Sequence, residues 1–200
     1  MNRRLPTLLA GAVTLVVATS CAAAAPAPPA VIALVDVPGG VAASSPTHGP
    51  ALVRDGRASG FRRDELGAAL AATHLAPRVS TTADPEVAAA TLTEQCWGDL
   101  GVARARLAAA QPGPDAPPRV SSTPQTLHYR LVAGDPDGED GAAVVVSLLA
   151  ATEQAKVAGG LSRTDLTLRW TGGDWRLRVP VQRPSLHPST DGYALLGGAP

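Results

Sequence analysis

Aromatic residues are scarce in this 200-residue sequence: they make up 3% of the chain and comprise three Trp, two Tyr and one Phe. A core without large rings must be built from Ala, Val and Leu side chains, each of which buries little apolar area. Lysine is also scarce, because Lys156 is the only lysine among 17 basic residues. We therefore expect a domain of modest stability whose positive charges are almost all guanidinium groups.

An excess of charge of either sign is missing as well. The 17 basic residues balance 17 acidic ones, so the formal net charge is zero. A balanced chain has no long-range field that attracts nucleic acid, and we predict no nucleic-acid partner. The length is that of one domain with a tail.

Recognisable catalytic motifs are absent. The sequence has no nucleophile elbow, no phosphate-binding glycine loop and no dinucleotide fingerprint. The four histidines, His48, His74, His128 and His187, are scattered and show no metal-ligand spacing with one another or with Cys96. We predict no catalytic residue, no metal, no cofactor and no enzymatic activity. His74, near the end of a predicted helix, is expected to place a positive charge against the helix dipole.

The N-terminus has the pattern of an export signal. Arg3 and Arg4 precede an uncharged apolar run over residues 5–17, and Ala18-Thr-Ser-Cys21 follows. A cysteine after small residues resembles the lipobox of bacterial lipoproteins, which implies a signal peptide over residues 1–20 and a lipid on Cys21. Two alternatives stay open: an uncleaved membrane anchor over residues 5–25, and plain secretion. All three possibilities place the remaining chain outside the cytoplasm. The lipid on Cys21 and the uncleaved anchor would also hold it at the cell membrane.

A composition rich in Ala and Pro continues to about residue 60. Such a segment buries too little surface to offset its ordering entropy, so residues 21–60 are predicted to form a tether. The apolar stretch from Val31 to Val37 is the exception, with the pattern of an edge strand. Residues 61–200 are predicted to form a single α+β domain.

Three helices are predicted in the first half of that domain. Asp64, Asp84 and Asp99 occupy N-cap positions, and Pro77 is expected to end the first helix. Cys96 falls on the apolar stripe of the second helix. If Cys21 carries lipid, Cys96 has no intrachain partner, and burial in the core is its expected role.

From residue 125 the hydrophobic period changes to two, which predicts four antiparallel strands. The last two form a hairpin around a two-residue Gly-Gly loop. In that register Trp170 faces Trp175, Leu168 faces Leu177 and Leu166 faces Val179. The predicted fold class is therefore α+β, with about three N-terminal helices packed on a curved four-stranded antiparallel sheet.

The opposite face of this hairpin carries Arg169, Arg176 and Arg178. Arg169 lies directly across from Arg176, a repulsive arrangement unless an anion or a carboxylate lies over the pair. The face has two interpretations. It is either a solvated sheet surface or a candidate contact surface for an acidic partner, since arginine is enriched at interfaces and binds carboxylates through two hydrogen bonds.

Four segments together resemble an uncharacterised family of actinobacterial exported proteins that are anchored in the membrane and often linked to conjugative elements. The most specific is the hairpin Leu168-Arg-Trp-Thr-Gly-Gly-Asp-Trp-Arg-Leu177; the others are Gly60 to His74, Thr91 to Gln95 and Asp191-Gly-Tyr193. The predicted order of helices and sheet is also similar to the nuclear-transport-factor-like fold of assembly subunits in type IV secretion and conjugation channels. The resemblance implies a scaffold without catalytic residues.

We therefore expect a membrane-tethered, extracytoplasmic interaction protein, with protein partners in a conjugation or secretion apparatus. The alternative is a ligand-binding lipoprotein module with a small pocket in the sheet. A third hypothesis is an enzyme on the same fold, which no residue pattern supports.

Overall fold

A computed structural model describes residues 31–110 and 123–198. Cys21, the predicted signal peptide and the Pro-rich connection over residues 111–118 lie outside the described residues. The described part has four helices: α1 (Glu65–Arg78), α2 (Pro85–Gln95), α3 (Leu100–Ala109) and α4 (Glu153–Val157). It has eleven strands: β1 (Ala33–Val37), β2 (Gly40–Ser44), β3 (Leu52–Arg54), β4 (Arg57–Ser59), β5 (Cys96–Gly98), β6 (Thr126–Ala133), β7 (Ala143–Ala150), β8 (Leu161–Thr171), β9 (Asp174–Val179), β10 (Ser185–His187) and β11 (Ala194–Gly198).

The main sheet has seven strands. Six follow the order β11-β6-β7-β8-β9-β5, and β10 pairs with β8. β5 runs parallel to β9, and the other pairs in this sheet are antiparallel. The predicted three helices on a four-stranded antiparallel sheet are therefore wrong: the described residues form four helices and a seven-stranded mixed sheet. Two of the missed strands, β5 and β10, have three residues each and are too short to display a period of two, and the third, β11, ends in two glycines that break the alternation.

Residues 33–59, which the composition assigned to the tether, form two hairpins instead. β1 pairs with β2 and β3 pairs with β4. Ala42, Ala43 and Ala58 are fully buried, and the Ala43 N–H donates to Thr73 Oγ1 of α1 at 3.1 Å. A composition that predicted an unpacked spacer thus belongs to hairpins that pack against a helix.

The physical reason is close backbone approach. Gly39 has a φ of 86°, and a Cβ there would lie 2.2 Å from the carbonyl oxygen of Pro77. Only glycine fits such a turn, and Ala side chains on the following strand keep the hairpin near the helix. Small side chains therefore allow the first hairpin to pack closely against α1, although a segment rich in small residues is also typical of a spacer.

The predicted N-caps are confirmed. Asp64, Asp84 and Asp99 each accept hydrogen bonds from backbone N–H groups in the first turn of their helices. Two helix ends differ from prediction. α1 continues through Pro77 to Arg78, because a proline in the last turn removes only one hydrogen-bond donor. α2 ends at Gln95, and Cys96 is buried in β5 rather than on a helical stripe.

A buried polar cluster joins α1 to both N-terminal hairpins. His74 and Arg78 are each 1% exposed. Arg78 Nε donates to the Gly56 carbonyl at 2.6 Å, and one terminal nitrogen donates to the His74 carbonyl at 2.7 Å and to His74 Nδ1 at 3.1 Å. On its other side, His74 Nε2 lies 3.1 Å from the Ala43 carbonyl and 3.0 Å from Ser44 Oγ.

The His74 ring is neutral in this cluster. Arg78 has only donors, so His74 Nδ1 must accept and Nε2 must carry the proton. Burial and the charge of Arg78 lower the pKa of His74 to about 3. Burial also lowers the pKa of Arg78 to about 10. The prediction that His74 supplies a positive charge to the helix dipole is therefore wrong.

The register of the last hairpin is confirmed. Trp170 pairs with Trp175, Leu168 with Leu177 and Arg169 with Arg176. The connecting glycines, Gly172 and Gly173, have φ values of 65° and 84°. The two indole rings meet edge to face with centroids 5.4 Å apart, on the side of the sheet that packs against the helices.

The ladder between β8 and β9 stops at Leu168 and Leu177, so the predicted pairing of Leu166 with Val179 does not form. The chain leaves the sheet after Val179, and β10 rejoins β8 only at Leu161–Arg163. Among the described strands, neither β9 nor β10 pairs with residues 164–167 of β8. This break leaves an opening in the sheet beside the middle of β8.

Candidate functional site

The three predicted arginines lie on the outer face of the sheet, which is the face turned away from the helices. Arg169 comes from β8, and Arg176 and Arg178 come from β9, where they alternate with buried Trp175, Leu177 and Val179. Two of them lie over Trp97 of β5, and Arg176 lies across from Arg169 in the ladder. The Arg169 guanidinium lies 4.4 Å from the Trp97 ring centroid, and that of Arg178 lies 5.6 Å from it.

Parallel pairing of β5 with β9 explains this arrangement. Trp97 is the register partner of Arg178, and its Nε1 donates to the Arg176 carbonyl at 3.1 Å. The indole ring therefore lies beside guanidinium groups that would otherwise only repel one another. Each cation–π contact stabilises such a site by about 0.5–1 kcal/mol where it is exposed. Trp97, Arg169, Arg176 and Arg178 are hereafter called the arginine face.

The positive charge of the arginine face is not neutralised by neighbouring carboxylates in ion pairs. Arg169, Arg176 and Arg178 form no ion pair with any described residue. The Nε of Arg169 is buried without a hydrogen-bond partner in the described part of the chain. Guanidinium groups fixed by an aromatic ring rather than by carboxylates remain able to bind carboxylates.

A cleft of about 930 Å³ adjoins the arginine face at the opening beside β8. Arg106 of α3, Arg178 of β9 and Arg183 of the segment after β9 line it. Its two acidic residues already have partners: Asp99 caps α3 through the Val102 N–H at 2.9 Å, and Asp165 is bound by Arg163. Three guanidinium groups and the carboxylate of Asp99 therefore have no ion pair among the described lining residues, which leaves an excess of positive charge.

A polar network holds the middle of the outer face. Arg163 donates to both oxygens of Asp165, at 2.9 and 2.7 Å, and the Ser147 hydroxyl donates to it at 2.5 Å. Burial of Asp165 raises its pKa, but hydrogen bonds from Arg163 and Ser147 with the charge of Arg163 outweigh it, so that the pKa is lowered. Ser147 Oγ also lies 2.9 Å from Tyr193 Oη. The network therefore holds the segment before β11 against the sheet.

The remaining predicted residues do not join a site. Burial raises the pKa of the Cys96 thiol to about 12, which keeps it protonated and unreactive near neutral pH. No three His, Cys, Asp or Glu side chains of the described residues are placed to hold a metal ion. Cys21, the predicted lipidation residue, lies outside the described residues.

Sequence reasoning missed Trp97, Arg106 and Arg183. Trp97 lies in a three-residue strand that directly follows a helix, and Arg106 is one of two exposed arginines on α3, with Arg104. One signal was present. Gly98, with a φ of 100°, lies directly before the N-cap Asp99. If α2 is taken to end before Cys96, the three residues of β5 are left between the two helices and can form a strand.

Comparison with other proteins gives a family and no function. Within residues 31–110 and 123–198, no helix combines the length and apolar character that crossing a bilayer requires. Neither the curated proteins nor the solved structures provide a match. Residues 10–195 match the family described as domain of unknown function DUF8175, and because the match covers most of the sequence, the chain belongs to this family.

Proposed function

We propose that this protein is a membrane-tethered, extracytoplasmic interaction protein that binds an acidic protein partner through its arginine face. The observation that carries the proposal is the packing of Arg169 and Arg178 on Trp97, with Arg176 across from Arg169 on the same face and no ion pair between these arginines and any described carboxylate. Together with the resemblance to actinobacterial exported proteins, this supports a non-catalytic scaffold in a conjugation or secretion apparatus.

Physical chemistry favours a contact surface over a merely solvated face. Arginine and tryptophan are among the residue types most enriched at the interface positions that contribute most of the binding energy. Trp97 restrains the guanidinium groups before a partner arrives, so less side-chain entropy is lost on binding. A planar guanidinium also matches a carboxylate through two parallel hydrogen bonds. The arginine face therefore suits Asp and Glu side chains of a protein partner.

Charge reversal of the arginine face is expected to abolish partner capture. The test variant is Arg176→Glu with Arg178→Glu, because Arg169 is packed most closely on Trp97 and its replacement would disturb the sheet. The native chain and the double variant would each carry a photo-crosslinking residue at Thr167, which lies on the outer face of the sheet with the arginines. Cross-linking would be done in native membranes. Peptide mapping of the adduct by mass spectrometry is the measurement.

The matched control is Arg54→Glu with Arg104→Glu, since both arginines are exposed and lie outside the arginine face and its cleft. It makes the same change in net charge. We expect the native chain and this control to cross-link to an Asp- and Glu-rich segment of a channel subunit that is exposed outside the cytoplasm. An adduct that survives the Arg176 and Arg178 reversal unchanged would contradict the proposed contact.

Cys21→Ser is expected to release the protein from membranes, because lipidation requires the thiol. The readout is the distribution between membrane and soluble fractions, with Cys96→Ser as the control that keeps the predicted lipidation residue. If the Cys21→Ser protein stays membrane-bound after a salt wash, the uncleaved N-terminal anchor is the correct alternative.

The second candidate, a ligand-binding lipoprotein module, requires a pocket in the sheet, and the structure has a small cavity there. About 210 Å³ lies between α1 and the inner sheet face, lined by residues that include Thr73, Leu127, Leu148 and Leu166. Binding pockets for small molecules usually measure about 300–1,000 Å³. The interaction protein is therefore the better-supported function.

A further inference from the structure

We propose that the arginine face of one copy of this protein binds the acidic turn of a second copy. The acidic turn is the connection between β6 and β7, residues 134–142, and it carries Asp135, Asp137, Glu139 and Asp140. This inference rests on the proposed function, because it identifies one acidic partner of the arginine face. Three features carry it: the distribution of negative charge, the position of the turn and the contacts that hold the turn in place.

The first feature is where the negative charge of the chain lies. The sequence has equal numbers of acidic and basic residues, so arginines without an ion pair leave carboxylates without one elsewhere. Asp135, Asp137 and Glu139 form no ion pair with any described residue, and all three are exposed. No other stretch of five described residues has as many unpaired acidic side chains. The acidic turn therefore complements the arginine face in the sign of its charge.

The second feature is the position of the acidic turn, which lies at the same end of the sheet as Arg169. Ala143, the first residue after the turn, pairs with Arg169 in the ladder between β7 and β8. The Gly141 N–H donates to the Trp170 carbonyl at 2.8 Å. Each copy therefore presents an acidic surface and a basic surface on neighbouring parts of one sheet, so two copies together supply both halves of a contact.

The third feature is that the acidic turn is held away from the arginines of its own chain. Arg63 donates to the Gly138 carbonyl and pairs with the Asp140 carboxylate at 2.8 Å. The Arg63 guanidinium also lies 5.7 Å from the centroid of the Trp170 ring, which packs on the helix side of the sheet. The arginine face is on the opposite side. Contact between copies is therefore the arrangement that brings these carboxylates to the arginine face.

The absence of net charge also favours self-association, because two neutral copies do not repel each other at long range. Tethering to one membrane would raise the local concentration of the copies further. The two surfaces belong to different parts of the chain, so the contact is heterologous and joins copies head to tail. An open row of copies leaves one arginine face free at its end, and a channel subunit can bind there.

The experiment cross-links two populations of the full-length protein in detergent. One population carries the photo-crosslinking residue at Thr167, and the other is isotope-labelled, so that an adduct between copies is recognised by mass spectrometry. We expect an adduct in which the labelled peptide contains the acidic turn, with a yield that falls as the salt concentration rises. The absence of an adduct between copies would overturn the proposal, as would an adduct that maps to another segment.

Reversing the charge of each surface gives two complementary variants. Arg176→Glu with Arg178→Glu makes both surfaces acidic, and Asp137→Arg with Glu139→Arg makes both surfaces basic. Each variant alone should lose adduct yield roughly tenfold, because like charges then face each other. A mixture of the two variants should regain the adduct, since each supplies the surface that the other lacks. A mixture that cross-links no better than either variant alone would overturn the pairing of these two surfaces.

The matched control is Asp36→Arg with Glu86→Arg, which makes the same change in net charge as the basic variant. Both carboxylates are exposed, form no ion pair with a described residue and lie outside the acidic turn. This control should keep the native yield. A loss as large as that of Asp137→Arg with Glu139→Arg would show that net charge alone matters and would overturn the assignment to the turn. The turn variant changes only exposed residues, so it tests the contact without disturbing the sheet.

Failure of this inference is distinguishable from failure of the proposed function. If cross-linking in membranes captures a channel subunit but the chain forms no adduct with its own copies, the inference fails and the proposed function stands. If copies cross-link to one another through the acidic turn and no other protein is captured, the inference stands and the role as a channel scaffold fails.

Discussion

Replacing Trp175 with alanine is expected to lower the free energy of unfolding by roughly 3–5 kcal/mol, the range for removal of a large buried ring. Trp175 is 2% exposed and is the largest fully buried side chain of the described residues. It packs edge to face on Trp170, and its Nε1 donates to the Arg62 carbonyl at 2.8 Å. The substitution would leave a cavity in the core and would remove this hydrogen bond.

Urea unfolding of the full chain, followed by circular dichroism, measures the free energy, and thermal unfolding measures the melting temperature. We expect a fall in melting temperature of roughly 6–20 °C. Trp175→Phe is expected to cost less, because it keeps most of the ring and loses only the N–H donor. Trp97→Ala is the matched control on the outer face, where the ring is half-buried. A Trp175→Ala protein no less stable than Trp97→Ala would contradict the assignment of Trp175 to the core.

The second large effect is loss of stability in acid through His74. The pKa of this ring is about 3 in the folded chain, because of burial and the charge of Arg78, against an ordinary value of 6.5. Between these values the unfolded chain binds a proton that the folded chain does not. Stability from this residue is therefore complete above about pH 6.5 and is lost progressively as the pH falls.

We expect the His74 contribution to fall by about 2 kcal/mol between about pH 7 and about pH 5, a window in which most carboxylates stay ionised. The measurement is urea unfolding at both pH values. His74→Gln keeps a neutral donor and acceptor at the site but cannot titrate, so its stability should be lower overall and flatter with pH. His48→Gln, which replaces a less buried histidine, should keep the steep dependence. A native chain that is equally stable at both pH values would show that His74 is not held neutral.

Arg78 explains why this site is so sensitive. It is 1% exposed, and no carboxylate of the described residues pairs with it. Its charge is stabilised by hydrogen bonds to the carbonyls of Gly56 and His74. Protonated His74 would place a second buried charge next to the first and would remove the acceptor that Nδ1 provides. The cluster joins both hairpins to α1, so its disruption in acid would loosen the N-terminal part of the fold.

Local sequence signals were sufficient for the helix starts and the last hairpin. Asp64, Asp84 and Asp99 cap their helices through hydrogen bonds within one turn, and a Gly-Gly loop fixes the register of its two flanking strands. These features depend on residues only a few positions apart. The three arginines of the outer face followed from the same register.

The other arrangements depend on contacts between distant residues. Whether residues 33–59 pack depends on the approach of Gly39 to Pro77 and of Ala43 to Thr73, which composition cannot express. Trp97 reaches the arginine face because β5 pairs in parallel with β9, roughly 80 residues further along the chain. Parallel pairing needs a long connection, so no local pattern encodes it.

The sequence by itself determined the helix starts, the tryptophan pair and the alternation that puts Arg169, Arg176 and Arg178 on one face, because each follows from local backbone geometry. Only the tertiary structure decided that Trp97 lies among these arginines, that His74 and Arg78 are buried together and that a cleft opens beside the middle of β8. These depend on which distant strands pair and where pairing stops, and that choice is made by packing of the whole core.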